Sequence, residues 1–84
     1  MSNVDVFMLE YKKVESVLRD KFGMSYLKFE DAVAVPGVRS KLQLCRIMRN
    51  YIAHEEDGHV FVSPSINQIA FLRDLNAFLL RSRR

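Results

Sequence analysis

The sequence predicts an all-α domain, a small four-helix bundle, on three observations. Apolar residues recur at spacings of three and four over long runs, which makes one face of a helix. Only two prolines and three glycines punctuate 84 residues, too few for a turn-rich all-β chain. Two short stretches have strand character, "AVAV" after Asp31 and "HVFV" at 59–62, and neither has a partner elsewhere in the chain. The length fits one domain over residues 1–84.

The first helix is expected over 4–22. Val4, Phe7, Tyr11, Val14, Leu18 and Phe22 share a face, Glu15 and Arg19 make a favourable pair four apart, and Gly23 suits a left-handed stop. Ser25 caps a short second helix to about residue 33, with Tyr26, Phe29, Ala32 and Val33 inward. Pro36 and Gly37 break that helix. A third helix is expected over 38–54. Asp57-Gly58 signals a turn, and "HVFV" makes a short extended connector before the last helix. Ser63 as N-cap and Pro64 at the first position open the fourth helix. Its stripe is Ile66, Ile69, Leu72, Leu75 and Leu79, widened by Phe71 and Phe78.

Composition narrows the function classes. Hydrophobic residues make up 49% of a short chain, and so small a domain buries only a modest share of its surface alone. A core shared between copies, a homodimer, is expected. The net charge of +3, from 13 basic and 10 acidic residues, is too mild for a polybasic nucleic-acid binder. The terminal "RSRR" reads as a solvated end that favours a helix C-terminal dipole, or alternatively as a phosphate-contacting tail. The single cysteine, Cys45, cannot form an internal disulfide and reads as a small buried hydrophobe rather than a catalytic thiol. Met1, Met8, Met24 and Met48 read as core fillers. No signal peptide or membrane span is evident, so a cytoplasmic protein without membrane contact is expected.

No metal or cofactor is expected. His54 and His59 lack the cysteine partners of a zinc site, and Glu55, Glu56 and Asp57 read as a solvated acidic run. Neither a P-loop nor a Ser-His-Asp set is present.

The informative stretch is "LCRIMRNYIAHE". On a helical wheel, Val38, Leu42, Cys45 and Ile52 share an arc, and Arg49 falls inside it. Arg39, Gln43, Arg46, Asn50 and His54 take the polar side. An arginine is almost never fully buried unpaired, so Arg49 must pair with a carboxylate, reach water along its stem or line a groove between subunits. Arg49 and His54 stand about 140° apart on an ideal helix. They act together only if the helix loosens before His54 or a second copy supplies the partner.

This stretch resembles the HEPN superfamily signature: an arginine (Arg49), a polar residue (Asn50), three more, then a histidine (His54). The order of an opening amphipathic helix, a motif helix, a connector and a closing helix at "SPS" is similar across nearly the whole chain. The chain is shorter than usual for that family, and its second helix is poorly defined. The resemblance implies a HEPN-like homodimer with its motifs meeting near the two-fold axis, and in active members a metal-independent endoribonuclease. Catalytic roles then fall to Arg49, Asn50 and His54. Neutral histidine can take a ribose 2′-OH proton, guanidinium can stabilise phosphoryl charge, and the amide can orient either. Arg46 and Arg39 would be placed to contact RNA. A toxin, phage-defence or RNA-processing setting follows, with RNA or an antitoxin as partner. The competing expectation is a non-catalytic dimerisation or binding module for a partner protein or nucleotide. There Arg49 pairs with an acid such as Glu10, and His54 only complements the helix dipole. The acids at 55–57 would repel RNA and weigh against cleavage.

Overall fold

Serines start three of the four helices that a computed structural model gives this chain; residues 2–53 and 63–82 are described. The Ser2 hydroxyl accepts from the Asp5 backbone N–H and opens α1 (Asn3–Val17). Ser25 does the same for Lys28 at the head of α2 (Tyr26–Ala32). Ser65 accepts from Gln68 N–H at 3.1 Å, and Gln68 Oε1 accepts from Ser65 N–H at 2.8 Å, before α4 (Ile66–Arg81). This reciprocal capping box satisfies two donors that a helix start leaves without intrahelical partners.

Three boundaries differ from expectation, each for a local reason. The cap of α4 is Ser65 rather than Ser63. Three residues after Ser63 stands Ile66, which cannot return a hydrogen bond, whereas Gln68 follows Ser65 at that distance. Pro64 stays outside the helix, is buried, and its carbonyl accepts from Asn3 Nδ2. Helix α3 (Pro36–Ala53) starts at the proline itself, because a first-turn proline lacks an N–H that would be unpaired anyway. After α1, residues Leu18–Phe22 form a π turn that ends at Gly23, with φ 64° and ψ 32°. Arg19 in that turn pairs with Asp20 at 2.9 Å, not with Glu15 as its spacing suggests. The expected connector over 55–62, the Asp57-Gly58 turn and Arg83 and Arg84 lie outside the described residues.

The core takes one stripe from each helix. Phe7, Tyr11, Val14 and Leu18 come from α1, Tyr26 from α2, Leu42, Cys45 and Met48 from α3, and Ile69, Leu72, Leu75 and Leu79 from α4. Fully burying each large apolar side chain contributes about 1.5–3 kcal/mol. At the ends of the expected stripes, Ile66 and Phe78 are exposed, Val4 is half-buried, and Phe22 packs half-buried against the core. In α2 Tyr26 and Glu30 are buried, Phe29 and the following Val33 pack half-buried against the core, and Ala32 faces out.

Cross-links between elements give the topology. Asn3 reaches Pro64, Glu10 pairs with Arg73, and Lys21 Nζ donates to the carbonyls of Leu79 and Leu80 at 2.8 and 2.7 Å. These links occur in the same order along both partners, so α1 and α4 run parallel, and their contact is the most extensive among the described elements. Lys21 thereby neutralises the carbonyl end of α4. Helix α3 runs against both: Met48 meets Gln68 and Lys41 lies over Phe71. Short α2 lies across α3 through Tyr26 and Glu30. The architecture is all-α, and no described helix is long and apolar enough to cross a membrane.

The two glycines in described positions should respond oppositely to alanine. A Cβ at either meets nothing within 4 Å, so backbone preference decides. Gly23→Ala forces an L-residue into the left-handed region and should cost about 1–2 kcal/mol. Gly37→Ala, inside the first turn of α3, should gain about 0.5–1 kcal/mol. Urea unfolding of both variants measures the difference.

Candidate functional site

The candidate site is built on α3, whose inward row is Leu42, Cys45 and Met48, with Val38 and Ile52 partly buried beside it. Arg49 belongs to this row by spacing and is half-buried. The pairing with Glu10 is not formed. Glu10, itself buried, takes Arg73 at 3.6 Å and Lys13 at 3.5 Å. Arg49 instead lies over the ring of Tyr11, with its guanidinium carbon 6.0 Å from the centroid. It also donates from Nη1 to Asn50 Oδ1 at 3.3 Å. The π face of Tyr11 accommodates the cation, and the exposed Asn50 amide gives it a polar neighbour. The structure thus brings Arg49 and Asn50 together. His54 lies outside the described residues, as does His59.

Beneath Arg49 is an aromatic column. Tyr11 stacks on Tyr26 with centroids 4.5 Å apart and planes at 28°, and Phe7 adjoins Tyr11 at 6.2 Å. The Tyr26 hydroxyl donates to the Leu42 carbonyl at 2.8 Å. Burial raises the pKa of both tyrosines well above the usual phenol range. At Tyr11 the nearby charge of Glu15 adds to this, and Arg49 and Arg46 oppose it. Both rings therefore stay neutral and serve as platform.

The arginines expected to contact RNA are both ion-paired. Arg46 grips Glu30 with two bonds, Nε to Oε1 at 2.9 Å and Nη2 to Oε2 at 3.2 Å. Glu30 is only 4% exposed, so this forked pair ties α2 to α3. Arg39 stands 3.5 Å from Asp31, with both side chains largely in solvent, where such a pair contributes little. Cys45 is 1% exposed, and burial pushes its thiol up to about 11, as expected of a small hydrophobe. No cluster of three metal-binding side chains occurs among the described residues.

Sequence reasoning missed the outer face of α3. Leu44, Ile47 and Tyr51 are 49%, 39% and 66% exposed. They sit three and four apart, so they form a second apolar stripe on the solvent side. Asn50 borders it on the helix wheel. The signal was present in the spacing but was masked by the stronger inward row of the same helix.

Two variants separate the arginines. Arg46→Ala strands the buried Glu30 carboxylate and should cost about 3 kcal/mol. Arg49→Ala loses a partly exposed cation–π contact and should cost about 0.5–1 kcal/mol. Chemical denaturation reads both. Alkaline stability gives an independent test. The folded state holds the Cys45 proton to about 11, whereas the thiol's ordinary value is 9.0. Above pH 9 the folded protein therefore binds more protons than the unfolded chain, and stability should fall as pH rises to 11. Tyr11 and Tyr26 reinforce the fall above their ordinary value of 10.0. In Cys45→Ala the fall should start later and be smaller.

Compared with known proteins, the chain matches no family model, no curated protein and no solved structure.

Proposed function

We propose that this chain is a HEPN-like homodimer that assembles through the outer face of α3 and cleaves RNA without a metal ion. The observation that carries the reading is the adjacency of Arg49 and Asn50 on the helix whose outer face is an exposed apolar stripe. A two-fold axis near Ile47 would set Leu44 of one copy against Tyr51 of the other, and isologous contacts of this kind close a dimer. The same axis would draw the two motifs together. His54 would accept the ribose 2′-OH proton, and the 2′ oxygen would attack phosphorus. The 5′ oxygen would leave with a proton from the second imidazole, giving a 2′,3′-cyclic phosphate. Arg49 would stabilise the phosphoryl charge, and Asn50 would orient the phosphate. A cytoplasmic toxin, phage-defence or RNA-processing role with an antitoxin partner fits this chemistry.

A second reading, a non-catalytic dimerisation or binding module, is favoured by one specific observation. Arg46 is committed to Glu30 and Arg49 rests on Tyr11, so both arginines already have structural work.

Light scattering should give twice the chain mass for the wild type and the single-chain mass for Ile47→Lys. Single-stranded RNA incubated in EDTA should yield 2′,3′-cyclic phosphate ends. Arg49→Ala and His54→Ala should lose at least about a hundredfold of the rate, the usual contribution of such groups. Cleavage that persists in His54→Ala sinks the mechanism, and a dimer without cleavage of any RNA selects the binding module.

A further inference from the structure

Between α3 and α4 lies a cavity of about 500 Å³, separate from the Arg49–Asn50 pair. Its apolar walls are Leu44, Cys45 and Phe71, with Lys41, Asn67 and Gln68 at its polar edge. The volume falls within the roughly 300–1,000 Å³ of small-molecule sites. Seven described residues line it, against about 20–30 per side in a standard protein interface. A small molecule fits this lining better than a partner protein does.

The polar edge selects the ligand's charge. The Gln68 amide is used on both sides, its Oε1 by Ser65 N–H and its Nε2 by Met48 Sδ at 3.0 Å. Ser65 Oγ accepts from the Gln68 N–H, so Lys41, Asn67 and the Ser65 hydroxyl proton remain to meet a ligand. Lys41 Nζ hangs 5.7 Å from the Phe71 ring centroid. It makes no ion pair among the described residues, and no described carboxylate lines the cavity. An ammonium beside an apolar wall, with no counter-ion among the described residues, is complementary to an anion that brings its own apolar body. The buried Cys45 thiol, held protonated, forms a neutral floor.

We infer that the α3–α4 cavity binds one small amphipathic carboxylate per chain. The carboxylate pairs with Lys41 and accepts from the Asn67 amide, and the apolar body lies against Leu44, Cys45 and Phe71. This site is separate from the Arg49–Asn50 pair, and its wall shares Leu44 with the dimer face proposed above.

Decanoate, decanol and decylamine, each below its aggregation concentration, test this by calorimetry and by NMR of the full chain. Decanoate should saturate at one per chain, with shifts centred on Leu44, Cys45 and Phe71, and should bind about tenfold more tightly than decanol. Lys41→Glu, an exposed change that leaves the core untouched, should reverse the order so that decylamine binds better than decanoate. Lys12→Glu on exposed α1 should change nothing. Equal binding of decanoate and decanol, shifts elsewhere, or no saturation at millimolar concentration would overturn the proposal. So would an acidic amphipathic peptide that shifts Leu44, Ile47 and Tyr51 together while decanoate does not bind; that result would assign the face to a protein partner.

Discussion

The stacked pair Tyr11–Tyr26 is the contact on which the candidate site depends. It lies where α1, α2 and α3 meet. One ring carries Arg49, and the other anchors its hydroxyl on the backbone of α3. Aromatic stacking adds about 0.5–1.5 kcal/mol beyond area burial. Its larger effect is positional. The stack fixes the depth of α3 against α1, and that depth leaves Arg49 half-buried rather than in open solvent. Short α2 has too few residues to be stable alone. It is held by this stack and by the Glu30–Arg46 fork a turn further on.

The buried acids share a logic. Glu10 and Glu30 each sit inside the protein, and each is met by an arginine from another helix, Arg73 and Arg46. The geometries differ. The Glu30 pair is bidentate and close. The Glu10 carboxylate is bridged more loosely by two cations that are largely solvated. The first specifies how α2 crosses α3. The second marks the middle of the α1–α4 contact, where apolar packing already fixes the register.

Much of the fold was legible because its signals are local. Helical spacing placed the stripes of α1 and α4, Gly23 marked a left-handed stop, and Ser25 marked a cap. The cap of α4 was misread because Ser63 and Ser65 are equivalent until the side chain three residues later is considered. The site was less legible. That Arg49 is anomalous follows from the wheel, but its partner does not. Glu10 is a reasonable acid by composition, and only the packing of α4 reveals that Arg73 claims it. The choice of a ring instead of a carboxylate depends on where Tyr11 lands, which no local pattern encodes. The outer stripe of α3 was hidden for a different reason: one helix carries two apolar faces, and a single-face reading keeps only the stronger.

The parallel course of α1 and α4 has a mechanical consequence. The start of α1 lies at one end of the helix pair, beside Pro64, and the finish of α4 lies at the other, beside Lys21. A pull applied at residues 3 and 81 therefore runs along the pair, and the α1–α4 contact is loaded in shear. Its side chains must slip past one another together rather than unzip one at a time. The buried core residues Phe7 and Val14 of α1 and Leu72 and Leu79 of α4 resist such sliding as a block. A bundle with adjacent ends would instead peel open from its termini.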